Sequence, residues 1–345
     1  MRIGRPRAKL PTDAELLQSE RFGLRTAAAP GGLAPQLASL SGMVTLWNPV
    51  VVTEPYAVTS TVARPLVVVR GADSRLDADG AQLTIAPSGW VQFHGSTLPG
   101  ERPDFLVRCS RNAAGDSNNG ANIQRLACTG VSRAHLSIES CELTYLAGSI
   151  IEQYDPNGAA VSVSNANRSG DPSDRSKATC SGHTWIGNTF ANFGIGGDVL
   201  DQWCGTAIRA HGLAERVNIY GGWIAGPGDG TALTMTITGV EEWEGGARAN
   251  WPRHWTLDDV TAEGAYKIRL FNMRDIDVRQ SDDMLFNPWK TVVGRYLDGK
   301  WRRVLTLRGI SAESIEEGGF IVTEGMSEDD LFGGSVKAEP EGPEA

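Results

Sequence analysis

Trp185, Tyr220, Trp223 and Asp258 are the residues of this chain whose types and spacing suggest chemistry. Each lies in a short apolar segment of one recurring form. Aromatic faces stack on the C–H faces of sugar rings, and a carboxylate accepts sugar hydroxyls. A row of such residues on one surface is therefore a candidate glycan-binding site. The same aromatic types are enriched where subunits meet, and core packing accounts for several of the 10 tryptophans. At this level both the glycan site and the subunit interface stay open.

Paired carboxylates raise a second possibility. Asp258/Asp259, Asp275/Asp277 and Asp282/Asp283 are close in sequence, and glycoside hydrolysis needs two acids about 5–9.5 Å apart. Adjacent residues on a strand point to opposite faces, so neither adjacent doublet makes a site alone. Asp259 and Asp275 fall where a bend is expected, and a short polar side chain there bonds its own backbone. Asp258 with Glu139, or with an acid on a loop, is left as a possible catalytic pair.

Other motifs are weaker. "GIGGDVLD" (194–201) is similar to part of a calcium-binding Gly/Asp repeat but occurs once, and such sites need stacked copies. It is read as a turn. "NRS" (167–169) matches a glycosylation sequon, which matters only in a secreted chain. His94, His135, His183, His211 and His254 lack ligand spacing and are expected at the surface or at bends. Cys109, Cys128, Cys141, Cys180 and Cys204 are odd in number without a CxxC pair, which predicts reduced, mostly buried thiols. No metal or cofactor is expected.

Composition bounds the rest. A net charge of −9 with a pI near 5.2 argues against a general nucleic-acid binder, which gains affinity by neutralising phosphates. No apolar run approaches the roughly 20 residues that span a bilayer. "MRIGRPRAKLPTDAELL" is basic without an apolar core, so no secretion signal is expected. The chain has 41 glycines in 345 residues, well above the usual ~7%, as many tight turns require.

The elements that position these residues are short. "PTDAELLQSERFG" (11–23) predicts one helix, with Thr12 or Asp13 as N-cap and Gly23 as its stop. A small-residue linker follows, giving an N-terminal segment over 1–43. "VTLW", "VVVT", "LVVVRG", "QLTIAP" and "WVQFHG" then read as short strands. "NANRSGDPSDRSK" (165–177) is a candidate projecting loop. The acidic, Pro/Gly-rich end, 323–345, reads as a mobile tail.

Between 132 and 314 one pattern recurs: "LSIESCEL" (136–143), "TWIGNTFA" (184–191), "VNIYGGWI" (217–224), "TLDDVTA" (256–262), "NMRDIDV" (272–278) and "LTLRGIS" (305–311). Aligning Ile138, Ile186, Ile219, Leu257, Met273 and Leu307 puts Ser140, Asn188, Gly221, Asp259, Asp275 and Gly309 in one column. These types tolerate left-handed backbone angles. The pattern reads as strand, bend, strand. Stacked at about 4.8 Å, such units make a solenoid around a filled core. The interval from Leu257 to Met273 is too short for a full turn, so 272–278 has either another register or another side of the same turn. An antiparallel sandwich or propeller is the alternative architecture.

In this alignment the apolar column points inward and its neighbours point outward. The outward set is Ser137, Glu139, Glu142, Trp185, Gly187, Phe190, Asn218, Tyr220, Trp223, Thr256, Asp258 and Thr261.

Over roughly residues 60 to 315 these bursts with a Ser/Asn/Asp/Gly bend resemble the right-handed parallel β-helix of the pectin-lyase-like superfamily. Within it the chain looks most like a spike or fibre protein of a bacteriophage or gene-transfer agent. A small N-terminal helix and linker, no export signal and one long β domain carry that likeness.

The resemblance implies an all-β, right-handed parallel β-helix over 44–322 behind a short helical anchor. It implies a homotrimer on the exterior of a virion, assembled in the bacterial cytoplasm, whose N-terminal segment docks on capsid or tail proteins. "RIGRPRAK" there meets an acidic partner or stays a solvated arm. The body would recognise host surface polysaccharide, without nucleic-acid partners or membrane insertion. An enzymatic spike that cleaves the polysaccharide, and a structural decoration protein without host binding, are the alternatives.

Overall fold

Apolar residues that alternate with polar ones bury one side of an extended chain. Leu83, Ile85, Val91 and Phe93 are buried, while Thr84, Ala86, Gln92 and His94 between them are half-buried. The computed structural model describes residues 42–322 in part, most continuously over 75–87, 89–96, 102–111, 119–164, 180–196, 205–227 and 252–263. The expected helix over 11–23, the loop 165–177 and the tail 323–345 lie outside the described residues. Among the described residues there is no helix, and so none long and apolar enough to cross a membrane.

The protein is all-β and its sheets are predominantly parallel. A 9-stranded sheet is parallel throughout. It includes Leu76–Asp79, Phe105–Ser110, Ala134–Glu139, Ala159–Ser164, Thr206–His211 and Leu233–Thr238. In it Val107, Leu136, Val161, Ile208 and Met235 are successive register partners.

A 17-stranded sheet holds two further parallel series. In one, Asn122–Gln124, Tyr145–Ala147 and the first halves of Cys180–Asn192 and Ala214–Ala225 lead to Trp255–Asp258. In the other, Leu126–Thr129, Ile150–Gln153 and the second halves of the same two long strands lead to Thr261–Glu263. From Phe105 to Glu263 the chain visits the three series in turn.

Left-handed backbone angles join the two series of the larger sheet. Arg125, Gly148, Gly187, Gly221 and Asp259 follow register partners and have φ of +53, +55, +59, +59 and +54°. The expected bends at Gly221 and Asp259 lie in this column, and Ser140 (φ +52°) bends the end of Ala134–Glu139. In 184–191 the bend is Gly187, one residue before the expected Asn188.

That single residue overturns part of the proposed inward column. A shift of one moves every side chain to the opposite face. Trp185, not Ile186, is the partner of Ile219, which pairs onward with Leu257 and Leu307. Trp185 and Phe190, expected outside, are fully buried, and Ile186, expected inside, is 43% exposed. Ile138 is buried as expected but stacks with Cys109 and Val163 in the other sheet. Glu139 and Ser137 belong to that sheet too.

The expected rung over 272–278 is also corrected. Ile276–Ser281 pairs antiparallel with Lys290–Leu297, which pairs antiparallel with Lys300–Arg308. A three-strand meander thus interrupts the parallel order, and Met273 and Asp275 lie outside the described residues. The last residues of Lys300–Arg308 return to the parallel series beside Trp255–Asp258.

Candidate functional site: an outward aromatic face

The face is built on Cys180–Asn192 and Ala214–Ala225, two long strands that each run through both series of the larger sheet. On one side of the bend column, Ala147, Ile186, Tyr220 and Asp258 are successive register partners. On the other side the order is Ile150, Thr189, Trp223 and Thr261. Neighbouring strands lie about 4.8 Å apart, so each row is a ladder of outward side chains. Tyr220 is 42% and Trp223 43% exposed, one on each side of Gly221.

Rigid packing beneath holds the rows. Trp185 lies edge-on to Phe190, with ring centroids 5.6 Å apart. Asn188, buried just past Gly187, accepts from Ser149 N at 3.0 Å and donates to Leu146 O at 3.0 Å. Gly222 takes the same place on the next strand, where a Cβ would lie 2.2 Å from Asn188 O. Only glycine lets the two backbones meet there.

Of the four residues singled out in the sequence, three are brought together. Tyr220 and Trp223 face outward, and half-buried Asp258 is the register partner of Tyr220. Trp185 is in the core and leaves the site. Ile186, Ile150 and Tyr145, all partly exposed, join the face instead. A signal for them existed: Gly148-Ser149, Gly187-Asn188 and Gly221-Gly222 align, each two residues after a buried apolar side chain. Aligning on those glycines rather than on the isoleucines gives the observed faces.

The middle of the face is apolar and its ends are polar. Gln124 and Asn122 precede Ala147 and Tyr145 in register, and Asp258 and Thr256 follow Tyr220 and Asn218. Beside it, Tyr154 and Phe193 place their rings 5.7 Å apart. Burial, with Glu152 alongside, raises the Tyr154 phenol above its ordinary range.

The arrangement can stack rings and bond hydroxyls, and among the described residues Asp258 and Glu139 are not brought together. Glu139 lies in the other sheet and accepts from Ser137 Oγ at 2.8 Å. Asp258 lies in the larger sheet, so the two do not form a pair on one face. Asp259 is the bend itself, Asp277 belongs to the meander, and Asp282 and Asp283 lie outside the described residues. Among the described residues no cluster of His, Cys, Asp and Glu can hold a metal ion.

Two histidine contacts look like nucleophile–base pairs and are not. Ser132 Oγ lies 2.6 Å from His135 Nδ1, and His135 Nε2 lies 2.8 Å from Glu152 O. A carbonyl only accepts, so Nε2 carries the proton and Ser132 donates to Nδ1. His183 Nδ1 accepts from Thr144 N at 3.2 Å, leaving Nε2 to face Cys180 Sγ at 3.4 Å. All four side chains are buried. Desolvation lowers both imidazoles to about 4 and raises the Cys180 thiol to about 12.

The surface expectation fails for His135 and His183, because their ring nitrogens have partners inside the protein. It holds for His254, exposed at φ +58°. Cys109, Cys128, Cys141 and Cys180 are buried thiols in no disulfide, as expected, and Cys204 lies outside the described residues. Of "GIGGDVLD", Gly196 has φ +82°, and 197–201 lie outside the described residues.

No protein-family model matches the chain, and no curated protein or solved structure shows detectable similarity to it.

Proposed function

We propose that the chain winds as a right-handed parallel β-helix and serves as a spike or fibre subunit of a bacteriophage or gene-transfer particle. It recognises a host surface polysaccharide through the face of Tyr220, Trp223 and Asp258. The carrying observation is that Tyr220 and Trp223 stand exposed on the two sides of Gly221, in register with polar neighbours. Such ladders follow an extended ligand, each aromatic taking a ring and each polar neighbour a hydroxyl.

Three parallel series visited in turn, with left-handed residues recurring at one corner, support the helical winding. Right-handed crossovers between parallel strands are the rule. In this reading the N-terminal segment docks on capsid or tail proteins, and trimeric display turns weak contacts into avidity. The test is adsorption of particles carrying Trp223→Ala or Tyr220→Ala subunits that still assemble. Reduced adsorption is expected. Unchanged adsorption removes the face from recognition, and release of oligosaccharides by the wild-type chain replaces binding by cleavage.

A second reading rests on the apolar middle of the face. Ile150, Ile186, Tyr220 and Trp223 rimmed by polar rungs also match the anatomy of a subunit interface. Mass photometry separates the two: Trp223→Ala and Ile186→Ser dissociate the oligomer if copies meet here, and leave it intact if the face is free for glycan.

A further inference from the structure

Among the described residues, the charges nearest Tyr220 and Trp223 in register are acidic. Asp258 follows Tyr220 in register, and Glu263 lies two residues beyond Thr261, the partner of Trp223. Glu152 lies two residues beyond Ile150 at the opposite end. Among the described residues neither Asp258 nor Glu263 is joined in an ion pair, and Glu152 is bonded by Tyr154. Among the described residues, the cation nearest in register is Arg308, the register partner of Asp258 on the next strand and two strands from Tyr220. Arg125 lies at the far end of the bend column, three strands from Gly221.

These positions decide what kind of sugar the face accepts. A polyuronate carries a carboxylate on each ring and would bring those charges beside Asp258, Glu263 and Glu152. At physiological salt, charges within about 8 Å are incompletely screened, so each such approach is unfavourable. An ammonium group has the opposite fate. Over Trp223 or Tyr220 it meets the negative face of an aromatic ring, with Asp258 or Glu263 one strand away. The apolar ring face of the same sugar still stacks.

We propose that the face selects a glycan bearing free amino groups and rejects polyuronates, with Asp258 as the specificity-determining residue. This rests on the glycan-binding reading above. Neutral sugars stack without the charge contribution and bind between the two extremes.

The experiment compares three oligosaccharides of matched length by titration calorimetry with the full chain: deacetylated chitosan, its N-acetylated counterpart, and an oligogalacturonate. The pH is chosen so that the amine is protonated. At low salt the amino form is expected to bind about fivefold to tenfold tighter than the N-acetylated form, as exposed cation–π and ion-pair contacts allow. Added salt should erase that gap, and the galacturonate should show no binding. Asp258→Asn should remove most of the amino preference, read as the ratio of the two affinities, and leave the wild-type melting temperature.

Galacturonate binding as tight as the amino form overturns the selectivity and leaves the glycan reading standing. An amino preference that persists in Asp258→Asn overturns the role of Asp258, and one that persists in Glu263→Gln as well overturns the selectivity. If none of the three binds, glycan recognition by this face fails, and the selectivity with it.

Discussion

Trp185 and Trp255 meet edge to face in the core, their ring centroids 6.1 Å apart and their planes at 87°. Trp255 Nε1 donates to Ala214 O at 3.0 Å, whereas Trp185 Nε1 has no hydrogen-bond partner among the described residues. The two indoles therefore answer differently to substitution. Trp185→Ala removes a fully buried side chain and should cost about 3–5 kcal/mol by urea denaturation. Trp185→Phe loses no hydrogen bond and should cost less than half of that. Wild-type stability of Trp185→Ala would place this indole outside the core.

Trp223 should behave in the reverse way. It is 43% exposed on the outward ladder, so Trp223→Ala should change stability by no more than about 0.5 kcal/mol. Loss of one stacking aromatic should weaken ligand binding by on the order of 1 kcal/mol. Measuring unfolding and binding on the same preparation checks both halves. A large loss of stability would mean that the indole supports the sheet.

The glycines of the corner divide by what lies beside them. Gly187 (φ +59°) has nothing within 4 Å of an added Cβ, while Gly222 (φ +92°) would set one 2.2 Å from Asn188 O. Asparagine tolerates the left-handed region, so Gly187→Asn should cost less than about 1 kcal/mol. Gly222→Ala adds a backbone clash to the strain and should cost about 3 kcal/mol or more. Thermal melts of the two variants rank them, and equal stability would contradict the close approach of the two strands.

Acid should destabilise the protein through its buried histidines. Desolvation lowers His135 and His183 from 6.5 to about 4 in the folded chain. Unfolded, each takes a proton near its ordinary value, and folded it does not. The folded state is thus fully favoured above pH 6.5, and stability falls as pH drops from 6.5 to about 4. The slope is up to about 1.4 kcal/mol per pH unit for each ring. Urea midpoints across that window should fall, and His183→Phe should flatten the fall. A midpoint that stays level would mean that both rings protonate in place.

Much of this protein is determined by its sequence alone. Alternation and glycine-rich turns dictate an all-β chain, because period two buries one side of an extended strand. Ser140, Gly221 and Asp259 bend where their residue types permit left-handed angles, and Cys109, Cys128, Cys141 and Cys180 are buried thiols. Tyr220 and Trp223 face outward because the buried Ile219 and Ile224 flank the pair and the Gly221–Gly222 bend separates them.

Tertiary structure decided the rest. In Trp185-Ile186 both residues are apolar, so alternation cannot say which one is inside. The backbone angle of Gly187 and pairing with Ile219 settle it in favour of Trp185. Ile138 joined the other sheet, and Ile276–Ser281 became antiparallel, because strand partners lie tens of residues apart and local spacing carries no record of them. The face holding Tyr220, Trp223 and Asp258 exists only through that pairing: hydrogen bonds between distant strands bring the three side chains onto one surface.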